Sequence, residues 1–193
     1  IYNYKDHNVY LVNEGNDVKR YIASVKVYDA KSSLILEDKA ILVSSYRNTV
    51  KAFDLNQFQG QPHFISLEVT DTDDNLVADN FYAIGAKPNV YDWKSDTWYY
   101  TPVTEYTDLG FAFTQPEAEV EMTVIEADGK YVVTLVNKSD VISYMNVLKA
   151  KDAEGNLVVP AYWSDNFFPL FPGQTKTVTC CAEVDGMQVE CVR

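Results

Sequence analysis

Two stretches of this chain repeat one pattern. Val9-Tyr10-Leu11-Val12-Asn13 is followed by Val25-Lys26-Val27-Tyr28-Asp29-Ala30 and then Leu34-Ile35; Val133-Thr134-Leu135-Val136-Asn137 is followed by Val147-Leu148-Lys149-Ala150-Lys151-Asp152-Ala153 and then Leu157-Val158. The offset is 124 residues at the Leu-Val-Asn element and 123 at the Asp-Ala element. Two copies of one supersecondary unit predict two related domains.

Each copy has strand chemistry. An apolar run rich in Val, Leu and Tyr ends at Asn, a polar turn follows, and a second run ends at Asp before a short reverse turn. In the second copy that turn, Asp152-Ala153-Glu154-Gly155-Asn156, is a Gly-containing hairpin connection. Leu67-Glu68-Val69-Thr70-Asp71, continuing to Leu76-Val77, repeats the pattern and reads as a later hairpin of the first domain. No window of a dozen residues keeps an i, i+3, i+4, i+7 apolar stripe, whereas Val120, Met122 and Val124 alternate between Glu119 and Ile125. Many short strands predict an all-β chain of two tandem antiparallel β-sandwich domains. Their expected bounds are 1–88 and 116–193, with an intervening segment over 89–115.

That segment is not linker-like, since flexible linkers are rich in Gly, Ser or Pro. It carries Tyr91, Trp93, Trp98, Tyr99, Tyr100 and Tyr106, side chains that bury roughly 150–250 Å² each. The expectation is a docked segment that fixes the two domains relative to each other, with Trp98 buried. A sugar-stacking platform built from Trp93, Trp98, Tyr99 and Tyr100 is one competing reading; rings that face a missing part of a longer protein, and are exposed only without it, are another. A second aromatic group, Tyr162, Trp163, Phe167, Phe168 and Phe171, is assigned to packing rather than to a ligand.

Charge removes some function classes. The 193 residues hold 28 Asp and Glu against 16 Lys and Arg, a formal charge of −12. Nucleic-acid binders need basic surface to displace counterions from phosphates, and an anionic membrane repels such a chain too. No apolar run approaches the roughly 20 residues that span a bilayer as a helix. The chain opens on Ile1 and enters strand material at once, which reads as removal of a leader or, the preferred expectation, excision from a longer protein. Aromatics at 13% and hydrophobic residues at 47% supply packed cores and argue against disorder.

Chemistry-bearing clusters are sparse. His7 and His63 are the only histidines, far from Cys180, Cys181 and Cys191, so no zinc pattern forms. Both histidines are assigned to the surface. Alternation points Cys180 inward with Val178 and Ala182 and puts Cys191 on a face with Val189. A cross-strand Cys180–Cys191 disulfide competes there with free buried cysteines, which are common. Asp71, Asp73, Asp74 and Asp79 lack the Gly and bidentate Glu of a calcium hand and read as a solvated hairpin. Ser139, Asp140 and His63 are scattered and form no nucleophile set. No metal, cofactor or catalytic residue is expected.

The motifs resemble a known family. Asp79-Asn80-Phe81-Tyr82, Asp92-Trp93-Lys94-Ser95, Trp98-Tyr99-Tyr100-Thr101-Pro102 and Tyr106-Thr107-Asp108 are similar to the region joining the two C-terminal immunoglobulin-like domains of family 2 glycoside hydrolases. The subgroup is that of exo-β-glucosaminidases and mannosylglycoprotein endo-β-mannosidases. Asn137-Lys138-Ser139, Asp152 through Pro160, Trp163-Ser164-Asp165-Asn166-Phe167 and Leu170-Phe171-Pro172-Gly173-Gln174 resemble that family's final domain. Gln174, where Glu is usual, and the Cys-rich end depart from it.

The resemblance implies two immunoglobulin-like sandwiches that stabilise or position a catalytic TIM barrel, with the other domains of the parent chain as partners. It carries no catalytic residue to this chain: retaining hydrolysis needs two carboxylates about 5–5.5 Å apart, and in that family they sit on a barrel of around 250 residues. The alternative is a carbohydrate-binding module that tethers the parent enzyme to its glycan. The compartment stays open, with a periplasmic or secreted setting preferred over a cytoplasmic one.

Overall fold

The structure, a computed structural model, describes residues 1–16, 18–182 and 186–192. It divides into two compact units, Ile1–Ala112 and Phe113–Arg193.

Unit 1 contains β1 (Tyr2–Asn3), β2 (Asn8–Asn13), β3 (Lys19–Asp29), β4 (Leu34–Ser44), β5 (Asn48–Asp54), β6 (His63–Thr70), β7 (Leu76–Ile84), β8 (Val90–Tyr91) and β9 (Val103–Glu105). One sheet has the order β1-β2-β5 and a second β4-β3-β6-β7; β8 and β9 form a separate pair. Period-2 alternation is clearest on β3. Ala23, Val25 and Val27 are buried while Ser24 and Lys26 face away, as a half-buried pleated strand requires. Those residues meet Val9 and Phe53 of the first sheet, and Ile65 and Leu67 of β6, in one core. Two antiparallel sheets closing on one apolar layer make a β-sandwich.

Unit 2 repeats the plan with β10 (Val120–Ala127), β11 (Lys130–Asn137), β12 (Ser143–Lys151), β13 (Ala161–Trp163), β14 (Phe168–Leu170), β15 (Thr175–Ala182) and β16 (Gln188–Val192). Its sheets run β10-β11-β15-β13 and β14-β12-β16. Val133, Leu135 and Val178 from the first pack against Leu148, Phe168 and Leu170 from the second, with Val120 and Met122 at the margin. Helix among the described residues is confined to a 3₁₀ turn at Asn56–Phe58 and the single turn α1 (Gly110–Phe113). The all-β reading holds, and the Leu67–Val77 stretch is a hairpin of the first unit, pairing β6 with β7.

The repeat has a local cause. Asp29, Asp71 and Asp152 each end a strand, and each Oδ1 accepts from the backbone N–H groups two and four residues on. The distances are 2.8 and 2.9 Å at Asp29, 2.9 and 2.9 Å at Asp71, and 3.1 and 2.8 Å at Asp152. In each case the residue three positions on has positive φ: Ser32 at 69°, Asp74 at 62°, Gly155 at 84°. Only the third copy uses the residue that takes this conformation without a steric cost. The same carboxylate-bound turn is thus built three times, and Asp71 closes the hairpin between β6 and β7.

Two expectations are corrected. His63 is buried, because it opens β6 beneath Phe58 with ring centroids 5.7 Å apart, and its Nδ1 lies 2.7 Å from the Gln61 carbonyl. His7 is half-buried and paired through Nδ1 with the Tyr2 hydroxyl at 2.6 Å. The cysteines are free. Cys180 lies on β15 opposite Tyr131, and Cys191 on β16 opposite Leu148, so the two belong to different sheets and are not cross-strand neighbours. The apolar interior holds the Cys180 thiol above its usual range through desolvation, with Cys181 adding to the effect.

Candidate functional site

The turn motifs of the second unit are accounted for by structure. Asn137 is fully buried. Its Nδ2 donates to the carbonyls of Val141 at 2.8 Å and Leu170 at 2.9 Å, while its Oδ1 accepts from the Ser139 amide and hydroxyl. Ser139 is therefore committed to a turn and sits in a different unit from His63. Asn166 mimics a strand partner for Leu148, accepting from its N–H at 2.8 Å and donating to its carbonyl at 2.9 Å. Gln174 Oε1 accepts from the Phe171 N–H at 3.0 Å. A Glu carboxylate would supply the same acceptor, so this departure from the family pattern keeps the local bond. Such side chains satisfy buried backbone groups.

The site that remains is the loop of the β8–β9 hairpin. Val90 pairs with Glu105 and Tyr91 with Val103, leaving 92–102 as the connection. Two short-range motifs shape it. Asp92 accepts through Oδ1 from the backbone N–H of Lys94 at 3.0 Å and Ser95 at 3.3 Å, and through Oδ2 from the Ser95 hydroxyl at 2.7 Å. These bonds, the Ser95 hydroxyl first, hold the carboxyl below its ordinary range. Beyond it, Thr97 and Tyr100 bond reciprocally: Thr97 N–H and Oγ1 each donate to the Tyr100 carbonyl at 3.0 Å, and Tyr100 N–H donates back to Oγ1 at 3.1 Å. Thr101 donates to Asp96 across the loop. The loop's polar groups are met within the loop, which gives it a defined shape while its rings face water.

They do so to an unusual extent. Trp98 is 94% exposed, Tyr99 74%, Trp93 71% and Tyr100 57%. The expectation of a buried Trp98 is overturned. Burial needs an apolar stripe with its polar neighbours on the other side, and here four polar residues in a row, Lys94-Ser95-Asp96-Thr97, separate Trp93 from Trp98, so no such stripe forms. Tyr91 and Trp93 lie 5.5 Å apart at 39°, and Trp98 meets Tyr99 edge-on at 5.1 Å and 73°. The four residues named from the sequence therefore share one loop.

Sequence reading missed their neighbour, a tyrosine cluster at the start of the unit. Tyr2, Tyr4 and Tyr82 stack in edge and tilted contacts 5.2–6.1 Å apart. Burial, then the charges of Tyr4 and Asp6, push Tyr2 up to about 12. Tyr4 is raised by burial and then by Tyr82 and Tyr91. The spacing Ile1-Tyr2-Asn3-Tyr4 was the available signal. Tyr162 and Phe167 of the second aromatic group are also exposed, whereas Phe168 and Phe171 are core. Among the described residues no group of three or more His, Cys, Asp or Glu side chains could hold a metal ion, and no helix is long and apolar enough to cross a membrane.

Two antiparallel sandwiches with side-chain-pinned turns define the immunoglobulin-like class. Comparison with known proteins then narrows it. The family of exo-β-D-glucosaminidase Ig-fold domains matches residues 98–191, so that region of the chain is similar to the Ig-fold domains of exo-β-D-glucosaminidases. An exo-β-D-glucosaminidase of Arthroderma benhamiae is 33% identical over 181 residues, covering 89% of this chain and 20% of the relative. One from Streptomyces avermitilis is 32% identical over 120 residues, 58% of this chain and 13% of the relative. Among solved structures, the exo-chitosanase CsxA of Amycolatopsis orientalis superposes with a TM-score of 0.77 at 23% identity, over 91% of this chain and 22% of its own. A β-D-mannosidase from Dictyoglomus thermophilum gives 0.60 at 15%, over 95% and 20%. The chain spans about a fifth of the length of the curated relatives it matches over most of its own length.

Proposed function

We propose that this chain is a non-catalytic pair of accessory domains of an exo-β-D-glucosaminidase-type family 2 glycoside hydrolase, stabilising or positioning the catalytic barrel of the parent protein. The observation that carries the reading is the alignment itself: nine-tenths of the chain matches a relative with that activity, yet occupies one-fifth of it. The strand pairing supports it. A TIM barrel is made of eight parallel strands, whereas every ladder among the described strands is antiparallel. In this reading residues 1–88 and 116–193 form the sandwich bodies and 89–115 the aromatic segment between them.

Incubating the purified chain with 4-nitrophenyl β-D-glucosaminide is expected to release no nitrophenolate. The longer polypeptide that carries this sequence is expected to release it. Turnover by the chain alone that survives repurification overturns the non-catalytic assignment; an inert longer polypeptide overturns the parent activity.

One observation favours a second reading. Exposed rings on a chain of charge −12 suit a cationic amino-sugar polymer, through stacking and cation–π contact. Titration with a glucosamine hexamer, followed by Trp fluorescence, tests it.

A further inference from the structure

We propose that the β8–β9 hairpin is a protein-docking element, inserted into an apolar hollow with a basic rim on another domain of the parent chain. The inference rests on the accessory-domain reading and names the surface through which it works.

Three observations carry it. The first is the concentration of rings: Trp93, Trp98, Tyr99 and Tyr100 are all exposed within eight residues. Trp and Tyr dominate the energetics of protein interfaces, and a contiguous exposed apolar patch marks a contact site. The second is the geometry of those rings. A pyranose stacks on a flat face, and a run of sugars needs successive faces to be near-coplanar. Here Trp98 and Tyr99 meet at 73° and Tyr91 and Trp93 at 39°, so neighbouring rings present edges and faces in different directions. That arrangement fills a hollow from several sides and makes a poor platform.

The third is preorganisation and charge. The loop is shaped by its own Asp92, Thr97 and Asp96 hydrogen bonds, so little ordering entropy remains to oppose docking. From 91 to 108 it carries Asp92, Asp96, Glu105 and Asp108 against the single base Lys94. Charges at an interface rim are matched by the opposite sign on the partner, which gives the rim of the hollow its Lys and Arg. The partner is drawn from the four-fifths of the relatives' length that this chain does not cover.

Hydroxyl-radical footprinting with mass spectrometry, which resolves Trp93 and Trp98 separately, tests the proposal on this chain and on the longer polypeptide. Trp98 is expected to oxidise rapidly in the chain and to lose that reactivity in the longer polypeptide. The double variant Trp98→Ala with Tyr99→Ala is expected to leave the melting temperature of the chain unchanged and to lower that of the longer polypeptide by several degrees. Equal Trp98 oxidation in both proteins overturns docking. So does a hexaglucosamine-induced quench in the chain that the double variant abolishes, which would assign the hairpin to glycan. A longer polypeptide that cleaves the glucosaminide while its Trp98 stays reactive defeats the docking proposal and leaves the accessory-domain reading standing.

Discussion

The hairpin loop at 92–102 and the segment from Tyr162 to Phe171 look alike as text, each crowding aromatics between turn residues. In the structure they part. Phe168, Leu170 and Phe171 are buried, and the backbone of β14 is held by two side chains from elsewhere: Asn146 donates to the Phe168 carbonyl at 3.0 Å and Asn137 to that of Leu170 at 2.9 Å. The hairpin loop has its hydrogen bonds inside itself and its rings in water. What separates the two is where the polar groups find partners. At Phe168, where the core claims the backbone, the ring goes in with it, while Tyr162 and Phe167 of the same segment stay exposed; a loop that satisfies itself can leave all its rings outside.

The largest effects should follow damage to the buried member of the pair. Phe168→Ala removes a core ring packed against Leu135, Leu148 and Val178 and is expected to cost about 3–5 kcal/mol, read by urea denaturation. An unchanged midpoint would remove β14 from the core. Next is Asn146→Ala. Its side chain also accepts from the Ser143 hydroxyl and donates to the Ser143 carbonyl across the bulge between them. Losing it strands buried backbone carbonyls, at about 1–3 kcal/mol.

A comparable loss is expected for Gly85→Ala, which bears on how the hairpin is anchored. A Cβ there would meet Thr107 Oγ1 and, at 2.7 Å, the Asp108 carbonyl. The segment leaving the hairpin after β9 would have to move, at about 1–3 kcal/mol. If the variant melts like the parent, the close approach of β7 to residues 107–108 is not required.

A pH effect comes from His63. Burial, reinforced by the charge of His7, holds its pKa below the ordinary 6.5, against the raising effect of the Gln61 carbonyl. Its Nε2 has no hydrogen-bond partner. The unfolded chain therefore binds a proton more readily than the folded one, so this contribution to stability is full above pH 6.5 and declines as pH falls below it. His63→Gln should flatten the dependence of the melting temperature on pH in that range; identical slopes would remove His63 as the cause.

Much of this was legible in the residues. Alternation through Val120, Met122 and Val124 and the repeated Leu-Val-Asn and Asp-turn elements announced strands, hairpins and two related sandwiches, because those signals are local: a strand's face and a carboxylate-bound turn are set within a few positions. The burial of His63 was not legible, since it depends on Phe58 folding over the start of β6. Trp98 failed differently. Its size argued for burial, but the unbroken polar run Lys94-Ser95-Asp96-Thr97 beside it already argued against an apolar stripe, and that pattern was the better guide. Gln174 shows the opposite case, where a departure in sequence leaves the bond to Phe171 intact.

The central claim, that the aromatic hairpin is a free surface of this chain while β14 is core, is tested most directly by the melting temperature of Trp98→Ala. A ring that is 94% exposed contributes little to the folded state, so the change in stability should stay within about 0.5 kcal/mol and the melting curve should overlay that of the parent. A fall of about 4–8 °C or more, the shift expected for each kcal/mol lost from a domain of this size, would mean that Trp98 is packed within the chain, and would contradict the account.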